Sequence, residues 1–357
     1  MQKPTRYREI EVAGTPREMG RQIGEAARDE IHGFSAVALE RTKKTVSVTK
    51  ERALAVASQC IEYAAAYSPD MMEEVRGMSE GSGVSVEELM LLQVRNQFTG
   101  NEDPEAGCTS LSLAPTSTLS ASTIVGQNWD NDPALDAFTV VLTRRPIGKP
   151  ALMNVTQAGL IAYIGLNNAG IAACLNSLPA PSRPVGVPHY FTVRGIYETT
   201  SLEGAVEAVR RAHRAVPANI MLATPQGPAD FEVTLNDVHV LRESDDRALT
   251  HTNHCLDPEL EPINDEFPEL IQSRPRLRRV NQLLGLNQRP PQLEEVKAVL
   301  SDHENAPRSI CRHPNEDPVT GFWETVFSVI IEPDSGFMHI SRGTPCDRPY
   351  ETYRLVV

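Results

Sequence analysis

The sequence predicts an α+β layered protein, on three observations. Apolar residues recur at helical spacing ahead of residue 107, and beyond it the period falls to two. The helical stretches that interrupt the later strands come in groups and do not alternate with them one for one, which argues against a βαβ chain.

Thr15-Pro16 supplies an N-cap with proline at the first helical position, and Met19, Ile23, Ala27, Ile31 and Phe34 follow as one amphipathic stripe. A second helix follows Thr49, with Leu54, Ala57, Ile61 and Ala64 on one face, and Ser68-Pro69 starts a third. Ser85-Val86-Glu87-Glu88 is a capping-box sequence opening a helix with Leu89, Leu92 and Val94. Residues 99–106 contain Gly100, Asn101, Asp103 and Pro104 and predict an exposed loop. Leu111 and Leu113 then alternate with Ser110 and Ser112 in the first of the later strands. Further strands are expected at 123–127, 137–143, 151–157, 160–165, 171–176, 219–224, 229–235, 237–241, 323–331 and 336–341. Helices are expected at 189–199, 202–212, 269–285 and 292–302, and the proline-rich piece 179–184 as a stiff surface loop.

A chain of 357 residues is long enough for a large core, and its formal charge of −13 repels phosphate backbones and anionic membranes. Arg274, Arg276, Arg278 and Arg279 form the one basic tract, expected as the solvated face of a helix. No stretch approaches the about 20 apolar residues of a spanning helix, and the first residues lack the apolar run of a secretory signal. The cysteines at 60, 108, 174, 255, 311 and 346 are too scattered for a disulfide scaffold, so reduced thiols in a cytoplasmic protein are expected.

The chemistry gathers at four places. In Glu105-Ala106-Gly107-Cys108-Thr109-Ser110 a polar linker runs into a Gly-Cys step and then a strand. Most unpaired cysteines are small buried hydrophobes. A thiol at this junction, however, is placed to cut its own chain at Gly107–Cys108. A freed α-amine near pKa 7.7 beside a thiol near 8.5 then carries base and nucleophile on one residue. In Gly126-Gln127-Asn128-Trp129-Asp130 a strand ends in polar side chains; Asp130 either holds that ammonium or orients a substrate, or the cluster is simply a turn. In His251-Thr252-Asn253-His254-Cys255 the Asn253 amide suits an oxyanion donor. His251, His254 and Cys255 lack the paired spacing of a zinc motif, and no metal is expected. In Ser309-Ile310-Cys311-Arg312 the Arg312 fork suits a substrate carboxylate or Asp130, with an ordinary ion pair as the bland alternative. Asn168-Ala169-Gly170 reads as a hairpin turn, with Asn176 a possible addition to the site.

Together these four segments resemble the acyl-coenzyme A:isopenicillin N acyltransferase family of cysteine N-terminal-nucleophile hydrolases. Gly14-Thr15-Pro16, Met19-Gly20, Gly24, Glu74-Val75-Arg76-Gly77, Gly165 to Gly170 and Gly186-Val187-Pro188 match in the same order, so the likeness runs from about residue 10 to 345. The resemblance implies a four-layer αββα sandwich, two antiparallel sheets between helical layers, made as an inactive precursor. Autocleavage would leave a mainly helical small chain, 1–107, associated with a large chain, 108–357, in one domain. It implies Cys108 as nucleophile, its amine as base, Asn253 as oxyanion donor, and Asp130 and Arg312 as organisers. Thr109, Asn176, Ser309 and His251, read from their places beside these residues, are the candidate substrate contacts. The fungal penicillin enzyme of the family ends in a peroxisomal tripeptide, whereas this chain ends Arg354-Leu355-Val356-Val357. Loops 178–186 and 256–270 match weakly, so penicillin chemistry is not carried over.

The expected reaction is cleavage of a small N-acyl amide through an acyl-thioester on Cys108, with no cofactor and no nucleic-acid or membrane partner; a homo-oligomer is left open. An acyltransferase drawing on an acyl-coenzyme A or amide donor is the first alternative, although the sequence shows no glycine-rich phosphate loop. An uncleaved ligand-binding proprotein is the second, and a papain-like protease using His251 or His254 the third.

Overall fold

Alternation along Ser110-Leu111-Ser112-Leu113 gives one strand a polar face and an apolar face, and the two faces meet different layers. The computed structural model describes residues 4–42, 48–98, 107–115, 118, 122–242, 248–266, 273–285, 291–318 and 321–356. In it β2 (Gly107–Leu113) belongs to a six-stranded sheet ordered β11 (Ala248–His251), β2, β3 (Ile124–Asn131), β12 (Glu324–Glu332), β13 (Phe337–Arg342), β14 (Glu351–Arg354). Leu111 and Leu113 join Val280, Leu284, Val296 and Leu300 from α9 (Ser273–Leu284) and α10 (Leu293–Leu300) in one apolar cluster. The serines face the other way, and Ser112 Oγ donates to the Leu222 carbonyl of the opposing sheet at 2.8 Å.

That second sheet has eight strands: β1 (Glu9–Gly14), β4 (Thr139–Pro146), β5 (Leu152–Gln157), β6 (Ile164–Asn167), β7 (Ala172–Asn176), β8 (Ala218–Thr224), β9 (Gly227–Val233) and β10 (Val238–Leu241). β2 and β3 lie against β7 and β8, so the sheets stack face to face. Its outer side carries α1 (Pro16–Ala26), α2 (Arg28–Thr42), α3 (Lys50–Tyr67), α4 (Pro69–Ser82), α5 (Val86–Val94), α6 (His189–Tyr197) and α7 (Leu202–Arg210). The single turn α8 (Ile263–Glu266) lies in a loop. The layering is therefore helix, sheet, sheet, helix, as expected.

Several details depart from the sequence reading. The stripe from Met19 to Phe34 is two helices, broken at Ala27, whose ψ of 29° leaves the helical range. The break frees α1 to lie closely along α4. A Cβ on Gly20 would come within 2.0 Å of the Glu74 carbonyl oxygen, and one on Gly77 within 2.2 Å of that of Arg17, so only glycine permits this approach. The eight-stranded sheet is not wholly antiparallel, because β1 pairs with β4 in parallel; the chain between them supplies the long crossover that a parallel pair requires. Ser85 caps α5 by accepting from Glu88 N–H, but Glu88 Oε2 accepts from the Ser85 hydroxyl and does not close a full capping box. The turn at Gly170 is the expected hairpin between β6 and β7, with the Asn167 side chain accepting from Ala169 and Ile171 N–H. The loop expected over 99–106 and the first residues of the helix expected at 269 lie outside the described residues. No described helix is long and apolar enough to cross a membrane.

Candidate active site

The site is built at the start of β2. Cys108 pairs with Trp129 and Gly107 with Asp130 across β2 and β3, and register therefore puts Cys108 on the inter-sheet face and Asp130 on the face toward α9. The Cys108 side chain is buried. Burial and then the Asp130 charge push its thiol up to about 12, against the pull of the Arg276 charge, the Asp130 backbone N–H and the Gln127 side chain. That direction favours the neutral thiol.

Asn253 grips the peptide at this point. Its Oδ1 accepts the Cys108 backbone N–H at 2.9 Å and a bond from Arg276 Nη2 at 2.8 Å. Both neighbours only donate, so the amide orientation is fixed with oxygen toward Cys108. Nδ2 points away and donates to the Ser177 carbonyl and hydroxyl at 3.0 and 3.1 Å. Asn253, expected as an oxyanion donor, here meets Cys108 through its oxygen, as the acceptor for the Cys108 backbone N–H. Ser273 holds the segment in place: its Oγ receives the Asn253 backbone N–H and meets Thr252 Oγ1 and His254 Nδ1.

Arg276 completes the clamp, and its expected place on a solvated face is corrected. The side chain is 2% exposed, and Nη1 donates to the Cys108 carbonyl and to Thr109 Oγ1. Arg274 and Arg278 are exposed as expected, while Arg279 pairs with Asp302 at 2.7 Å. The sequence did carry a signal. Arg276 shares the buried stripe of α9 with Val280 and Leu284, four and eight residues on, where the helical period calls for an apolar residue.

Asp130 accepts from Thr325 Oγ1 at 2.7 Å, and that hydroxyl in turn accepts the Arg312 backbone N–H at 2.9 Å. Burial raises the Asp130 carboxyl to about 6 against the opposing charges of Arg276 and Arg312 and the Thr325 bond. Arg312 is buried, its guanidinium 5.9 Å from the Trp323 ring centroid. Asn176 Nδ2 donates to Ser110 Oγ at 2.8 Å, and Asn176 Oδ1 accepts from Gln127 Nε2 at 2.8 Å. Asn176 and Gln127 therefore line the polar seam between the sheets beside Cys108.

Two expected contacts are occupied elsewhere. His251 binds Glu232 through Nε2 at 2.8 Å and the Thr252 carbonyl through Nδ1 at 2.9 Å, wholly buried. Burial lowers its pKa, but Asp230 and Glu232 outweigh that and raise it. With both ring nitrogens engaged and the ring buried, His251 is held as a partner of Glu232 and the Thr252 carbonyl. Ser309 Oγ donates to the Cys311 carbonyl and shapes the loop that carries Arg312. Asn253 thus meets the Cys108 backbone directly, Thr109 shares Arg276 with it, and Asp130 and Arg312 are joined through Thr325 on the β3 side; Gln127, Ser177, Ser273, Arg276 and Thr325 are the partners the sequence reading left out.

The sequence model of the acyl-coenzyme A:6-aminopenicillanic acid acyl-transferase family matches residues 118–347. The acyl-coenzyme A:6-aminopenicillanic-acid-acyltransferase 40 kDa form of Emericella nidulans is 29% identical over 352 residues, which is 96% of this chain and 94% of the relative. Among solved structures, a variant of conjugated bile acid hydrolase from Clostridium perfringens aligns over 70% of this chain and 97% of its own, at 11% identity and a TM-score of 0.48. Penicillin V acylase from Agrobacterium tumefaciens aligns over 71% and 79%, at 11% identity and a TM-score of 0.42.

Proposed function

The chain belongs to the acyl-coenzyme A:6-aminopenicillanic acid acyl-transferase family, and on that premise we propose that it is a cysteine amidohydrolase that cuts itself at Gly107–Cys108 and then acts on small N-acyl amides. The observation that carries this reading is the clamp on Cys108: its N–H is held by Asn253 and its carbonyl by Arg276, with the thiol of the same residue beside the peptide.

In self-cleavage the Cys108 sulfur adds to the Gly107 carbonyl carbon. The C–N bond breaks, the thiol proton ends on the departing nitrogen, and a thioester joins Gly107 to Cys108. Water hydrolyses it to a Gly107 carboxylate and a free thiol. The new α-amine already has an acceptor in Asn253 Oδ1, which leaves its lone pair to take the thiol proton. With a pKa near about 7.7 the amine is suited to that exchange at neutral pH.

Turnover on an external amide repeats the same steps. Cys108 attacks the substrate carbonyl, the α-ammonium protonates the leaving amine, and an acyl-thioester remains. Asn253 Nδ2, which serves Ser177 in the uncut chain, is the side-chain donor for the oxyanion; exchange of neutral acceptors for an anionic one strengthens that bond. Asp130 and Arg312 hold the β3 side of the site. Water as the resolving nucleophile makes the enzyme a hydrolase, and an amine makes it an acyltransferase. The likeness to the Emericella enzyme favours the second outcome as a further activity of the same intermediate. All six cysteines are free thiols, which suits a reducing compartment and supports the cytoplasm as its place.

Intact-mass measurement tests the reading. Wild type should yield two chains, the larger beginning at Cys108, and Cys108→Ala a single uncut chain without activity. An uncut wild-type chain that turns over small amides would overturn it. Amine release from a substrate panel with and without an added acceptor separates hydrolysis from transfer.

A further inference from the structure

Beside the loop that carries Arg312, four side chains outside the chemistry above converge. His303, Cys311, His313 and Cys346 each bring one ligand atom into a group lying within 4.8 Å of one another. We propose that these four residues bind one divalent cation of the zinc class in a tetrahedral site of two sulfurs and two nitrogens.

The spacing carries the assignment. His313 Nε2 lies 3.0 Å from His303 Nε2, 3.3 Å from Cys346 Sγ and 3.8 Å from Cys311 Sγ. Metal–sulfur bonds of about 2.3 Å and metal–nitrogen bonds of about 2.05 Å give tetrahedral edges of about 3.3 Å between nitrogens and about 3.6 Å from nitrogen to sulfur. The observed separations fall around those edges. Two thiolates balance the cation's charge, and a donor set of two imidazoles and two thiolates selects zinc over hard cations. A Cys311–Cys346 disulfide would use both sulfurs but would give the two imidazoles no reason to meet.

Three chain segments are tied together to make the group. Cys311 N–H donates to the Asp302 carbonyl at 3.0 Å, which closes the 302–311 loop and sets His303 beside Cys311 and His313. Ser301 Oγ donates to the Pro345 carbonyl at 3.1 Å and brings Cys346 alongside. The ligands are thus split as one residue, a C-x-H pair and one residue, a pattern without the local pairing of a zinc motif, and the expectation of no metal is revised here. Arg312 stands between two of the ligands, and its backbone brackets Thr325, the partner of Asp130. The cation would hold that backbone and so act as a positioning device for the β3 side of the thiol site.

The test uses the full chain, purified under reducing conditions, stripped with chelator and titrated with Co2+ and then Zn2+. One Co2+ per chain should bind, with the visible bands of a tetrahedral site and a sulfur-to-cobalt charge-transfer band, and one equivalent of Zn2+ should displace it. His303 and Cys346 are exposed, so His303→Ala and Cys346→Ser should fold normally by circular dichroism and lose more than about 100-fold in affinity, beyond the cost of losing a supporting partner. Cys108→Ala should bind as wild type does, which separates this site from the thiol site and from self-cleavage. A folded wild type without the charge-transfer band, undiminished binding in Cys346→Ser, or a band lost with Cys108 would each overturn the assignment.

Discussion

Asp130 is a carboxyl held where a charge is costly. Its folded value near 6 lies above the ordinary 3.8, with burial as the first cause. The folded state therefore binds the proton more tightly than the unfolded chain. The resulting stability is fully present below about pH 4 and is lost as pH rises through 6. The shift corresponds to about 3 kcal/mol. Asp230 is raised to a similar value, so the contribution has to be read as a difference between wild type and Asp130→Asn. That difference in unfolding free energy should shrink by about 2 kcal/mol between pH 4 and pH 7 in denaturant titrations; a pH-independent difference would mean that the carboxyl is not desolvated. Turnover should run the other way, because only the ionised form attracts the α-ammonium that cleavage creates: amine release from an external amide by the cut enzyme should speed up as pH rises through about 6.

At the scale of single elements, the legible parts were those with a local cause. Helices α3, α4 and α5 begin where Thr49, Ser68 and Ser85 cap them, and the switch to period two placed eleven strands, each overlapping an observed one. What stayed hidden was set by neighbours far along the chain. β11 and β14 are four residues each, too short for a period to register, and they exist because β2 and β13 offer open edges. The thiol, Asn253 and Asp130 were visible as motifs. Arg276 was not, because a basic tract reads as solvated until α9 turns that one position onto the sheet. α9 supplies both Ser273 and Arg276, three residues apart on one face, so it is the element that orders the clamp. Arg276→Lys keeps the charge but not the fork that spans Cys108, Thr109 and Asn253. Loss of one such charge-assisted bond is worth about 1.5–3 kcal/mol, so self-cleavage followed in cell-free translation should slow about 10- to 100-fold. A folded Arg276→Lys that cuts at the wild-type rate would confine Arg276 to a structural role.

On the scale of the whole molecule, cleavage would sever the chain between parts that share one core. Met19, Ile23, Val75 and Leu92 lie in the same apolar cluster as Leu152, Ile164 and Phe231, and β1 is an edge strand of a sheet otherwise made after residue 107. The joint is also ionic. Glu74 on α4 meets Arg144 on β4 at 2.7 Å and Arg194 on α6 at 3.0 Å, all three side chains at most 3% exposed. Arg194 continues to Glu198, Glu198 to Lys149 and Lys149 to Asp70. Three cations and three anions thus alternate across the boundary between residues before and after 107. Such a network is weak evidence for net stability, but removal of one buried partner costs about 3–5 kcal/mol because it strands the others. In Glu74→Gln two buried guanidiniums lose their shared carboxylate. In an uncut chain the covalent link keeps the halves at high effective concentration, and the loss should appear only as a lower melting temperature. In a cut chain nothing enforces that proximity. Glu74→Gln should therefore cleave and then shed its small chain on dilution, visible as two species in native size exclusion where wild type elutes as one. If cut Glu74→Gln stays whole at nanomolar concentration, the apolar cluster alone holds the two chains together.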